Sequence, residues 1–155
     1  MTPSEFTALV AGVTAHLPGR PLDRSLEEDL QRLFPPGGPV FQSLLDACRA
    51  GAGDGWMCNR EAGGIRYGRV VKPSEATNGF SVDVVDMQDV AGPHHRHPNG
   101  EIDLVMPLSG VARFDGRPAG WVVYGPGSAH RPTVSGGRAL VLYLLPGGAI
   151  EFSKT

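Results

Sequence analysis

Apolar positions along the chain change their spacing about one third of the way through. Over the first fifty residues they recur at three- and four-residue steps, the period of a helix with one buried face. Phe6, Leu9, Val10, Val13 and Leu17 form one such stripe, opened by Pro3 and Ser4 and closed by Pro18-Gly19. Leu26, Leu30, Leu33 and Phe34 form a second within about Asp23 to Phe34, stopped by Pro35-Pro36-Gly37-Gly38. Phe41, Leu44, Leu45 and Cys48 form a third, from about Val40 to Arg49, which Gly51 and Gly53 are expected to end. From Trp56 onward short apolar runs alternate with turn signals. Strands are expected at Ile65–Val71, Phe80–Met87, Glu101–Leu108, Val111–Phe114, Gly120–Tyr124 and Ala139–Leu145. Between them stand turn signals such as Gly63-Gly64, Asn78-Gly79, Pro98-Asn99-Gly100, Asp115-Gly116, Pro126-Gly127 and Gly136-Gly137.

Regularly spaced short strands predict a mainly β sandwich or barrel rather than βαβ units. With 155 residues and no long linker, one domain is expected: a helical segment over 1–53 packed on a barrel over 54–155. Such helices would cover a barrel mouth or build a dimer interface. The 22 glycines and 14 prolines are dispersed, as a turn-rich fold requires, and are not gathered in a low-complexity tract.

Charge narrows the partners. The net charge is −2, lysine is almost absent and the arginines are scattered, which argues against nucleic acid. No run of 18 apolar residues is present to span a membrane, and the N-terminus lacks the basic start and apolar run of a signal peptide. Cys48 and Cys58 form no metal-binding spacing and read as two reduced thiols. A cytoplasmic protein is expected. Small barrels pair through exposed strands or helices, so a homo-oligomer, in the simplest case a dimer, is expected too.

The chemistry concentrates in Gly92-Pro93-His94-His95-Arg96-His97-Pro98-Asn99-Gly100-Glu101. Residues two apart on a strand share a face, so His95 and His97 can reach one metal while His94 points away. The turn at Pro98-Asn99-Gly100 brings in Glu101, and a neighbouring strand can deliver His130, just after Gly125-Pro126-Gly127. Three imidazoles and a carboxylate suit a borderline divalent ion: Zn, Fe, Mn, Ni or Co. Open coordination positions would make the site catalytic rather than structural. Glu101 is either a ligand or a general acid/base.

His95-x-His97-x-x-x-Glu101, followed by Gly110, resembles the first cupin motif. Gly120 with Pro126-Gly127-Ser128-Ala129-His130 resembles the second. The chain departs from the pattern in a longer gap from Glu101 to Gly110 and a one-residue shorter step from Pro126 to Gly127. Neither departure removes a ligand. The resemblance implies a cupin-type β-barrel (double-stranded β-helix) with His95, His97, Glu101 and His130 as metal ligands.

The longer runs CNREAGGIRYGRVVKPSEATNGFSVDVVDMQDVAGPHHRHPNGEIDLVMPLSG and FDGRPAGWVVYGPGSAHRPTVSGGRALVLYLLPGGAIEF resemble the bacterial 4-hydroxylaminobenzoate lyase family. That resemblance implies conversion of 4-hydroxylaminobenzoate to 3,4-dihydroxybenzoate with release of ammonia, in nitroaromatic degradation. Glu101 and His130 are then the candidate catalytic residues. The small aromatic carboxylate substrate would need an arginine, whose planar fork matches a carboxylate. Arg66, Arg69, Arg113 and Arg131 are candidates, with Arg66 preferred. Tyr67, Phe80, Trp121, Tyr124 and Tyr143 are candidates to stack on the ring, with Tyr124 preferred. The competing readings are an Fe(II)-dependent cupin dioxygenase of an aromatic substrate and a non-catalytic cupin that binds a small molecule.

Overall fold

A computed structural model describes residues 1–153. Three helices come first: α1 (Pro3–Thr14), α2 (Arg24–Leu33) and α3 (Pro39–Asp54). Thr2 and Glu5 close α1 as a reciprocal capping box, with Pro3 in the first turn. Asp23 caps α2 through the Leu26 N–H. α3 runs past the expected stop at Gly51 and Gly53. Gly51 is kept in the helix because its bare Cα makes room for Met57, whose side chain would lie 2.7 Å from any Cβ there. The helix ends instead at Gly55, in the left-handed conformation.

Ten strands follow: β1 (Arg60–Ala62), β2 (Ile65–Val71), β3 (Phe80–Ala91), β4 (His95–His97), β5 (Glu101–Pro107), β6 (Arg113–Phe114), β7 (Gly120–Tyr124), β8 (Ser128–His130), β9 (Thr133–Pro146) and β10 (Glu151–Phe152). The larger sheet runs β1-β2-β3-β9-β5-β7, with β6 also on β9; the smaller runs β10-β4-β8. All pairs are antiparallel. The Gly136-Gly137 signal is not a hairpin. It lies inside β9, where the pairing with β3 shifts register between Gln88 and Val90.

Alternation along the larger sheet separates two cores. Val82, Val84, Ile102, Leu104, Leu140, Leu142 and Leu144 face outward and pack with Phe6, Leu26, Leu30 and Phe41 of the helices. Val85, Met87, Val105, Val141 and Tyr143 face inward with Phe114 and Val134. The helices therefore cover the outer face of the sheet, not a barrel mouth. Each buried Leu or Val contributes roughly 1.5–3 kcal/mol. α2 is tied to β7 by polar contacts as well. The Gln31 side chain accepts from Trp121 N (3.0 Å) and donates to Trp121 O (3.1 Å). Glu27 accepts from Val123 N (2.9 Å), and Trp121 Nε1 donates to Phe34 O (2.9 Å). No helix of the described residues is long and apolar enough to cross a membrane.

Candidate metal centre and adjoining cavity

β4 lies between β10 and β8, and its register pairs His95 directly with His130 and His97 with Ser128. The strand alternation puts His95 and His97 on the inner face, where both are buried, and turns His94 outward to Ser153. Between β4 and β5 the chain reverses at Gly100, at φ +86°. A Cβ there would come within 2.7 Å of Tyr124 O, so only glycine lets Glu101 start β5 beside the histidines.

Ligand-type atoms of His95, His97, Glu101 and His130 lie within 4.8 Å of one another. His97 Nε2 is 3.2 Å from Glu101 Oε2, His130 Nε2 is 3.7 Å from Oε2, and His95 Nε2 is 3.8 Å from Oε1. Each imidazole is held from behind by an acceptor at Nδ1. His95 donates to Pro93 O (3.4 Å), and His130 to Asp115 Oδ2 (2.6 Å). His97 donates to Ser128 Oγ (2.9 Å), whose hydroxyl is itself spent on Gly125 O (2.6 Å). These partners place each ring proton on Nδ1 and aim three Nε2 lone pairs at one point.

That arrangement calls for a cation. His95 Nε2 and His130 Nε2 face each other at 3.1 Å, lone pair to lone pair. His97 Nε2 and both Glu101 oxygens are buried without a hydrogen-bond partner, which is costly unless something positive sits among them. Burial resists the Glu101 charge, and only positive charge or protons shared from the His95 and His97 side hold the carboxyl below its ordinary value. Three imidazoles and one carboxylate fit a divalent transition metal.

Behind the cluster, Asp115 holds three groups. Besides His130 it accepts from Tyr124 Oη (2.5 Å) and from Thr133 N (2.9 Å). Burial resists its charge, but these donors hold the carboxyl below its ordinary value. Two residues beyond Glu101, the Asp103 carboxyl is fully buried and unpartnered. Burial, then the charge of Glu101, pushes it well above the usual range.

A cavity of about 860 Å³ opens onto the cluster at His95. Ile65, Val85, Met87, Pro132 and Phe152 give it apolar walls. Tyr67 and Tyr143 add aromatic surface, and Arg60, Arg69, Lys72 and Asp83 supply charge. Of the sequence-derived substrate residues, the structure brings neither preferred one into this lining. Arg66 alternates to the helix side of β2, where it donates to Ala52 O and lines a separate cleft with Arg49 and Arg138. Tyr124 packs its ring against His130 (centroids 4.5 Å apart), with its hydroxyl engaged by Asp115. Phe80 and Trp121 lie in the outer core. Arg113 and Arg131 are exposed and donate to the Gly116 and Gly92 carbonyls. Sequence reasoning did not single out Asp115 or Ser128. Their signal is thin: an Asp-Gly turn, and a serine two residues ahead of a histidine.

The barrel and its inward-facing His/Glu cluster define a cupin. A family model described as PnbB, 4-hydroxylaminobenzoate lyase, matches residues 8–152. The chain belongs to the 4-hydroxylaminobenzoate lyase family. A 4-hydroxylaminobenzoate lyase of Nocardioides sp. (strain LMS-CY) is 34% identical, over 99% of this chain and 96% of its own. A 4-hydroxylaminobenzoate lyase of Pseudomonas putida is 28% identical, over 96% of this chain and 94% of its own. Among solved structures, an RmlC-like cupin protein from Ralstonia eutropha JMP134 is 14% identical with a TM-score of 0.45, covering 60% of this chain and 62% of its own.

Proposed function

We propose that this protein is a metal-dependent lyase that converts 4-hydroxylaminobenzoate and water to 3,4-dihydroxybenzoate and ammonia. The observation that carries this is the convergence of three Nδ1-anchored imidazoles and a buried carboxylate at the edge of an aromatic-sized cavity. Full-length similarity to proteins named for that activity supports it.

His95, His97, Glu101 and His130 would hold the metal, which when bound supplies Lewis acidity toward the hydroxylamine oxygen. The atoms balance without an outside oxidant. The N–O bond breaks and its hydroxyl, protonated, leaves as water. One water adds to the ring carbon next to the nitrogen-bearing carbon, and another hydrolyses the resulting imine and expels ammonia, so one water is consumed overall. Ile65, Val85 and Met87 hold the ring and exclude bulk water from the reacting edge. Glu101, the one carboxylate of the cluster, would accept the proton of the entering water. Asp115 fixes His130 with its proton on Nδ1 and holds the Tyr124 hydroxyl in the same grip. Tyr124 thus serves the reaction by orienting His130. The buried, reduced Cys48 and Cys58 support a cytoplasmic location.

The test is anaerobic incubation of metal-analysed protein with 4-hydroxylaminobenzoate. Ammonia and 3,4-dihydroxybenzoate in equal amounts, lost on chelation and restored by one metal, are expected. No product with the metal bound, or turnover that appears only when oxygen is admitted and consumed, would reject the lyase in favour of a binding cupin or a dioxygenase.

A further inference from the structure

The lyase reading leaves the carboxylate end of the substrate without a partner, and the preferred arginine of the sequence lies on the wrong face of β2. We infer that Arg69 anchors that carboxylate, and so makes the enzyme selective for hydroxylamines that carry an acid group at the far end of the ring. This rests on the lyase reading for the identity of the ligand.

Arg69 follows Ile65 and Tyr67 on the face of β2 that lines the cavity. The larger sheet thus brings Arg69 to one wall, while His95 of the smaller sheet stands at another. A ligand spanning the two walls would present an acid group to one and its nitrogen to the other. A para-substituted ring has that shape.

The guanidinium is already oriented. Nε and Nη2 donate to the two Asp83 oxygens (2.8 and 3.3 Å), and Nη2 also donates to Gly148 O (3.2 Å). Nη1 makes no hydrogen bond among the described residues. It occupies the space that a side chain at residue 148 would fill, 2.8 Å from the position of a Cβ, at a backbone φ of +70° that itself favours glycine. Asp83 and Gly148 therefore fix the plane of the fork and leave one donor group for a ligand. Pre-orientation lowers the ordering cost of binding. Arg60 and Lys72 also line the cavity, against Asp83 as its one acidic lining residue, so the lining carries an excess of positive charge for an anion.

The test compares wild type with Arg69→Gln and with the double variant Arg69→Gln/Asp83→Asn, which leaves no unpaired acid behind. Each is assayed with 4-hydroxylaminobenzoate and with N-phenylhydroxylamine, which lacks the carboxylate. A charge-assisted hydrogen bond is worth roughly 10- to 100-fold. The expected result is a rise of that size in KM for the acid substrate, with KM for the neutral one nearly unchanged. Calorimetric binding of 4-aminobenzoate is read alongside and should weaken by a similar factor. Equal effects on acid and neutral substrates, or unchanged 4-aminobenzoate binding in both variants, would overturn the assignment. Wild type that binds 4-aminobenzoate through Arg69 but turns over neither hydroxylamine would sink the lyase reading and leave the anion site standing.

Discussion

Replacing Asp115 by Asn changes one atom and reverses one hydrogen bond. Asp115 stands at φ +50°, a conformation asparagine also tolerates, so the turn survives. If the new amide oxygen stays on the Thr133 N–H, the NH2 group faces His130 Nδ1 and donates to it. The imidazole proton must then move to Nε2, the atom aimed at the cluster. Turning the amide over sets NH2 against the Thr133 N–H, donor against donor. The flipped amide would keep His130 in its ligating form only at the cost of that clash, so the first arrangement, with His130 in a form that ligates poorly, is favoured. Loss of such a supporting partner typically weakens metal affinity 10- to 100-fold, about 1.4–2.8 kcal/mol. Competition of metal-free protein against a chromophoric chelator for Zn(II) or Co(II) measures this directly. Circular dichroism and thermal melting of the metal-free forms check the fold. Tyr124→Phe removes another donor to the same carboxylate oxygen but leaves the His130 proton in place, so its affinity should change far less. Asp115→Asn binding metal within about twofold of wild type while folded would refute the tautomer account.

His97→Ala should abolish metal binding and ammonia release and leave the far-UV spectrum of the barrel intact; an unfolded variant would mean the residue is structural. Metal in hundredfold excess over its Kd should stabilise wild type by about 2.7 kcal/mol and the variant by almost nothing, read as the shift in melting on chelation. Gln31→Ala orphans the Trp121 N–H and C=O beneath α2 and should cost roughly 1–3 kcal/mol in denaturant unfolding with kcat unchanged. Burial pushes the Cys58 thiol from 9.0 up to about 11. Below pH 9 both states keep the proton and stability is unaffected. Between pH 9 and 11 only the unfolded chain loses it, so stability should fall with pH, by up to about 3 kcal/mol from this residue. Cys58→Ala should remove this residue's share of that slope, with the buried Cys48 thiol supplying the rest, and an unaltered slope would discount Cys58.

The grouping of His95, His97 and Glu101 was legible because its information is local, whereas His130 arrives from a separate strand. His95 and His97 need only strand alternation, and Glu101 only a turn. The helices were legible where apolar spacing and caps agree, as at Asp23 and Leu26. β4 and β8 carry His-Arg-His and Ser-Ala-His, three-residue strands with no apolar alternation, and β10 is shorter still. They exist through pairing with one another across segments far apart in the chain, a cause no short window of sequence contains. Arg66 and Arg69 show the limit most clearly. Both lie on β2 three residues apart, hence on opposite faces, and nothing in the local pattern says which face is the cavity. The Tyr124–Asp115–His130 linkage joins three separate segments and becomes visible only when β8 closes beside β4.

The side chains that α2 lays along β7 bear on what the protein avoids becoming. Trp121 and Val123 turn backbone groups toward the open side of the sheet, and Gln31 and Glu27 occupy them as another strand would. An unoccupied edge of this kind is a template onto which a second chain can crystallise, strand upon strand. At the other margin β1 is only three residues long and carries Arg60 and Glu61. The first 53 residues thus act as a selvedge on the cloth, and a chain cut free of them would keep its histidines and tend toward fibres.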